Sequence, residues 1–149
     1  MPRKRVAAGV LFFDEVGRVM LVDPIYKEPW EIPGGAVEAG ESPHLAACRE
    51  VKEELGIAPA VGRLLGLDWT APRPERSEGL VTIFDGGQLP LKELQSIQLP
   101  ADEIRSFDFV PVDELETRLI PLLARRVRAC VKARKQSLTV YMENGYPAI

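Results

Sequence analysis

The chain has 149 residues, enough for one domain whose core needs neither disulfides nor a structural metal. Hydrophobic residues make up 46% and charged residues 28%, with a net charge of -3, which excludes disordered, collagen-like and disulfide-rich chains. That balance gives no global attraction to nucleic acid or to an anionic membrane.

No apolar run approaches the ~20 residues of a transmembrane helix. The basic start, Met1-Pro2-Arg3-Lys4-Arg5, leads into an interrupted apolar stretch, Val6 to Phe13, with Asp14 and Glu15 where a leader would place its cleavage site. The expectation is a soluble, cytoplasmic protein, one domain over residues 1–149. Cys48 and Cys130 are far apart and are read as reduced, buried small hydrophobes.

In chain order, Val6 to Phe13 reads as a strand, residues 14–17 as a hairpin-like turn and Arg18 to Asp23 as a second strand. Trp30-Glu31-Ile32 is extended ahead of Pro33, and Gly34-Gly35 permits unusual backbone angles. Ser42-Pro43 opens a helix that runs to about Leu55 and stops at Gly56. Strands are predicted over residues 60–69 and 80–84, separated by a loop from Thr70 to Glu78, with Gly86-Gly87 as a turn. A strand over residues 104–110 and a short helix from Pro111 to Leu115 follow. Leu119 to about Lys135 reads as a long helix, with Leu119, Leu123, Val127 and Cys130 on one apolar face and the arginines exposed. Residues 138–142 form the last strand candidate, with a turn at Glu143-Asn144-Gly145. Strands and helices are mixed, which gives an α/β or α+β class.

Charge is unevenly placed. Residues 28–57 hold seven glutamates against Arg49 and Lys52, while residues 118–135 hold seven basic residues and no acid. The basic helix lacks the interleaved aromatics of a nucleic-acid stacking surface, so neither nucleic acid nor membrane is expected as a partner. On the helix from residue 42 to 55, Leu45, Ala47, Cys48, Val51 and Leu55 fall on one side. Glu50, Glu53 and Glu54 lie roughly opposite, with the small Ala46 on their side. Three carboxylates near a helix C-terminus repel one another and oppose the macrodipole. Enclosure raises at least one pKa unless a cation neutralises the cluster. Hard oxygen donors at this density suit Mg²⁺ or Mn²⁺, and His44, the only histidine, excludes a histidine-rich site. Taken alone, the same glutamates also describe a solvated acidic face.

The wider pattern is more specific. Gly35 is followed after five residues by Glu41, and after seven more by Arg49-Glu50-Val51-Lys52-Glu53-Glu54-Leu55-Gly56-Ile57. This resembles the Nudix box, the 23-residue signature of the Nudix hydrolases, with every fixed position matched. Trp30 to Gly35 is similar to the family's lead-in.

The resemblance implies an α/β/α sandwich around a mixed β-sheet. It also implies hydrolysis of a nucleoside diphosphate linked to some group X, a small-molecule nucleotide-type substrate. Glu50, Glu53 and Glu54 would meet a divalent metal, Mg²⁺ or Mn²⁺, together with the Gly35 carbonyl. Glu53 would be a ligand or an acid–base participant, Glu54 would be catalytic as well as a ligand, Arg49 would orient the carboxylates, Glu41 would support the loop, and the general base would be a box glutamate or a later carboxylate. Leu99 to Ile104, followed by Phe107 to Val110, looks like the family's post-box segment, which makes Glu103 the favoured later carboxylate and Asp102 its competitor.

Phe12, Tyr26, Trp30, Trp69 and Phe84 are aromatics that could stack on a base; Trp30, Trp69, Arg73 and Arg76 are the substrate-binding candidates. Pro72, 15 residues beyond Ile57, resembles the ADP-ribose subgroup, while the chain's compactness resembles triphosphate-cleansing members. The alternative is a non-catalytic nucleotide-sensing module, disfavoured because all three box glutamates are present. The apolar tail from Tyr146 to Ile149 is a candidate homodimer contact.

Overall fold

The computed structural model describes residues 1–148. Strands β1 (Arg5–Phe13), β2 (Val19–Pro24), β3 (Gly34–Ala36), β4 (Leu64–Thr70), β5 (Gly79–Gln88), β6 (Ile104–Val110), β7 (Val140–Glu143) and β8 (Tyr146–Pro147) form one mixed sheet. Its order is β6-β2-β1-β5-β4-β7-β8, and β3 also pairs with β1. The β1–β5 and β4–β7 pairs are parallel and the other pairs antiparallel. Helices α1 (Pro43–Leu55) and α3 (Pro121–Lys135) cover opposite faces, which gives the expected α/β/α layering. A short α2 (Leu91–Gln95) and a 3-10 helix (Val112–Thr117) lie between strands.

The layering follows from period-two alternation along β1. Ala8, Val10 and Phe12 join Ala46, Ala47, Val51 and Leu55 of α1 in one core. Leu11 and Phe13 join Leu123, Val127, Cys130 and Val131 of α3 in the other. The predicted stripe of Leu119, Leu123, Val127 and Cys130 is buried throughout. Burial also pushes the Cys130 thiol up to about 12, so it is an inert part of the core. Cys48 is free but only half-buried.

Two expectations about helix faces are corrected. Leu45 is 61% exposed, whereas Ala46 is fully buried. The helix is rotated so that the row Ala46-Glu50-Glu54, one turn apart each, leans toward the sheet beside Ala47, Val51 and Leu55. Arg126 of α3 is not exposed either; it is buried against Asp68.

Local differences have local causes. Gly86-Gly87 is not a turn but lies within β5, where the β1 register moves from Leu11↔Asp85 to Phe12↔Gly87. Gly86 is thus the extra residue of a β-bulge. β4 begins at Leu64 rather than residue 60, and β3, α2 and β8 were not predicted because each has only two to five residues. No helix among the described residues is long and apolar enough to cross a membrane.

The β1–β2 hairpin positions the site. The two strands pair only at Phe13↔Val19 before they part. The segment from Glu31 to Ala36 fills the opening, with Glu31 and Val22 exchanging backbone hydrogen bonds and Gly34 pairing with Gly9. Gly34 has φ +152°, and a Cβ there would stand 2.3 Å from the Ala8 carbonyl oxygen, so only glycine allows this approach.

Candidate active site

The helix that carries the carboxylates is fixed at both ends. The Ser42 hydroxyl accepts the Leu45 N–H at 3.2 Å, Pro43 starts the first turn, and Gly56 ends the helix with φ +69°. This presents Glu50 and Glu54 to the β3 wedge. The Gly34 N–H donates to Glu54 Oε1 at 2.7 Å. Glu50 lies over Gly35 so closely that a Cβ there would stand 2.5 Å from its Cδ.

Arg49 organises this region. Its Nε and Nη2 donate to the two Glu41 carboxylate oxygens at 2.8 and 3.0 Å, its Nη2 to the Ala36 carbonyl at 3.0 Å and its Nη1 to Glu50 at 2.9 Å. Glu53 lies on the outer side, 55% exposed, 3.4 Å from Arg49. The Glu41 contact, the largest influence, raises the Arg49 pKa, and the same bond holds the Glu41 carboxyl below its usual range.

Glu54 has no basic partner among the described residues. Burial is the main influence that pushes its pKa up to about 8; the Gly34 N–H opposes it, and Glu50, Glu103 and Glu31 add to it. Glu50 is raised by burial too, offset by Arg49.

Glu54 and Glu103 line a cavity of about 580 Å³ that runs along β1, past the β3 wedge, to α3. That volume suits a nucleotide-sized ligand. Glu103 stands at the entry to β6, where its carbonyl accepts the Ile25 N–H at 2.9 Å. Asp102, its competitor, does not line the cavity.

Of the substrate candidates, Arg76 lines the main cavity, and Arg73 joins it around a smaller neighbouring hollow. A tight turn pairs Arg73 with Arg76 through the backbone. Trp30 and Trp69 line neither space. The Arg118 guanidinium stacks 4.4 Å above the Trp30 ring, which packs on the α3-side core, and Trp69 lies in mid-sheet on β4. Phe12 and Phe84 are core residues, whereas the exposed Tyr26 lines the cavity.

Sequence reasoning missed Glu31, Arg5 and Arg126 as lining residues. For Arg126 a signal existed. It lies seven residues after Leu119 and so falls on the apolar stripe, where a charge demands a partner.

Gly35 tests the geometry. Gly35→Ala is expected to leave the fold standing, because the Glu50 carboxylate is the end of a flexible side chain that can move away. Turnover should fall about 10²-fold, as a displacement of about 1 Å in a reacting group allows. Thermal melts paired with kcat/KM check this, and wild-type turnover would contradict the placement of Glu50.

A sequence profile of the NUDIX domain matches residues 3–130. The chain belongs to the NUDIX family. Among curated Nudix relatives, it is 40% identical over 76 residues to diphosphoinositol polyphosphate phosphohydrolase 2 from Rattus norvegicus, a match covering 50% of this chain and 42% of that protein. It is 34% identical over 67 residues to an RNA pyrophosphohydrolase from Hydrogenovibrio crunogenus, covering 44% and 41%. These alignments span less than half the length of the curated relatives. The Nudix fold here superposes on a MutT protein from Methanosarcina mazei with a TM-score of 0.69 at 22% identity, over 92% of this chain and 98% of that one. It superposes on a UDP-X diphosphatase with a TM-score of 0.75 at 19% identity, over 95% and 68%. At such identities the likeness establishes the fold. Nudix hydrolases act on pyrophosphate bonds and generally use divalent metal ions.

Proposed function

We propose that the chain is a metal-dependent pyrophosphohydrolase that cleaves the diphosphate link of a nucleoside diphosphate joined to a group X, such as phosphate, ribose or another sugar. The observation that carries this reading is the approach of Glu50 and Glu54 to Gly34-Gly35, with Glu54 and Glu103 lining the same ligand-sized cavity.

The donor set fits a hard divalent cation. No three acidic, histidine or cysteine side chains among the described residues already form a metal cage. Mg²⁺ does not need one, because it usually keeps several waters and takes one or two carboxylates. A buried carboxylate with no basic partner, at Glu54, is the electrostatic deficit such an ion offsets. Glu50, Glu54 and the Gly35 carbonyl would hold Mg²⁺ or Mn²⁺, with Glu53 as a further ligand. When bound, the ion would neutralise phosphate charge and acidify water.

The chain's own residues do the rest. The Gly34 N–H occupies one oxygen of Glu54 and so orients the other. Arg49 fixes Glu50 through a network that also holds the 36–41 loop. Glu103 holds the attacking water and takes its proton as general base. Water oxygen bonds to one phosphorus, and the bridging oxygen leaves with the electron pair of the broken bond. Arg73 and Arg76 meet the anionic part of X.

Glu103→Gln should lower kcat about 10²-fold at saturating Mg²⁺, within the range of general-base loss. An unchanged kcat would remove Glu103 from this role. The reading as a whole is tested by phosphate release with Mg²⁺ across nucleoside triphosphates, ADP-ribose, nucleotide sugars and dinucleoside polyphosphates, with a phosphatase present to expose masked phosphates. Turnover of one class supports the hydrolase. Tight binding of a nucleotide without turnover would favour the sensing module instead.

A further inference from the structure

The cavity has a second charged end. Arg126 of α3 is 8% exposed and lines both the main cavity and the smaller hollow. Its Nε donates to Asp68 Oδ2 at 2.7 Å. Asp68 is fully buried on β4, and its other oxygen accepts the Gly145 N–H at 3.0 Å. Neither Nη1 nor Nη2 of Arg126 donates to a described residue. Pairing with Asp68 therefore accounts for one nitrogen of a guanidinium on a largely buried side chain. The two left over reach the cavity that Arg126 lines, where water or a ligand's oxygens accept from them.

The surroundings repel cations. Arg5, Arg73 and Arg76 share the hollow with Arg126, and the carboxylate there, Glu31, already pairs with Lys27. Among the described residues, the only acidic partner of Arg73 is Glu75, at 3.8 Å. Burial, then Arg76 and Arg73, hold the Arg5 pKa below its usual value. The carboxylates of Glu54 and Glu103, which line the same cavity, make the opposite end hostile to an anion unless a metal is bound. A ligand with two separated phosphate groups matches both ends.

We propose that Arg126, positioned by Asp68, is a specificity residue that binds a further phosphate group carried by X, apart from the diphosphate at the α1 carboxylates. The proposal rests on the hydrolase reading for the other half of the substrate. The free Nη pair is the fork that meets two phosphate oxygens together, which an ammonium cannot reproduce. The preferred substrates are then diphosphates whose X is itself phosphorylated.

Two variants test this. Arg126→Gln combined with Asp68→Asn removes the fork without leaving a buried carboxylate unpaired; Arg126→Lys keeps the charge and loses the fork. Inorganic phosphate is titrated calorimetrically in metal-free buffer. Separately, kcat/KM is measured with Mg²⁺ on pairs whose X differs only by a phosphate: ADP-ribose 1″-phosphate and ADP-ribose, and UDP-glucose 6″-phosphate and UDP-glucose. The wild type is expected to bind phosphate at least tenfold more tightly than either variant. Its preference for the phosphorylated member should fall at least tenfold in both. Absence of a preference in the wild type, or the same preference in the variants, overturns the proposal. That holds even where inorganic phosphate binds, since the site would then serve the free ion. If no diphosphate is hydrolysed, the hydrolase reading fails separately. Arg126 is then judged on the phosphate titration: equal affinity in wild type and variants removes the site, and loss in the variants keeps it. Should the double variant not fold, Arg126→Lys carries both measurements.

Discussion

Glu54→Gln is expected to abolish turnover, by about 10³-fold or more, and at the same time to stabilise the metal-free protein at pH 8. The loss follows from removing a proposed metal ligand, whose charge stabilisation is worth several kcal/mol. The gain follows from the Glu54 carboxyl being pushed up to about 8 by burial and by Glu50, Glu103 and Glu31. A carboxyl raised above its unfolded value favours the native state fully below about pH 4.5, where both states are protonated. That contribution is lost as pH rises toward 8, because the unfolded chain ionises freely and the folded one does not. The penalty at pH 8 is about 2–4 kcal/mol, so the glutamine variant should melt roughly 5 °C or more above the wild type there. At pH 5 the two should nearly coincide. Glutamine keeps an oxygen for the Gly34 N–H, so the hydrogen bond does not confound the comparison. Mg²⁺ should raise the melting temperature of the wild type and leave the variant unmoved. Equal melts at pH 8, or turnover by the variant, would contradict this account of the site.

Arg49 gives the second large effect. Its guanidinium reaches both Glu41 oxygens, Glu50 and the Ala36 carbonyl, and so ties the loop before α1 to the carboxylate row on it. Arg49→Ala is expected to lower kcat/KM about 10²-fold, because Glu50 loses its lateral support. Arg49→Lys should not restore it, since one ammonium cannot serve a bidentate carboxylate and a carbonyl in another direction. The melting temperature should fall in both variants as the loop is released. Steady-state kinetics with melts on the two variants decides the matter, and wild-type kinetics from Arg49→Lys would show that charge alone suffices.

What could be read in the sequence divides along local and long-range lines. The caps of α1, Ser42 and Gly56, are written in adjacent residues, and so is the stripe on α3. The box pattern carried the carboxylates with it. The direction those carboxylates face was not local. Leu45 turned outward and Ala46 inward because the close approach of Gly35 lets the Glu50-Glu54 row lean on β3, which no wheel of α1 contains. The cavity likewise arises from β1 and β2 parting after one pair, a consequence of where residues 31–36 insert. Trp30 and Trp69 illustrate the limit on aromatics: composition cannot tell a ring in the sheet from one over a ligand. In the apolar tail considered for a dimer contact, Arg125 stacks 4.2 Å over the Tyr146 ring, which is still 58% exposed; Ile149 lies outside the described residues.

The central claim is that the α1 carboxylates hold the divalent ion on which diphosphate hydrolysis depends. Electron paramagnetic resonance of Mn²⁺ titrated into wild type and Glu54→Gln, with and without a hydrolysable diphosphate, tests it most directly. The account predicts that the wild type depletes the free Mn²⁺ signal and that the variant binds at least tenfold more weakly, in step with its lost turnover. Equal Mn²⁺ binding by the two proteins, or turnover by a wild type that binds no Mn²⁺ even with substrate present, would contradict it.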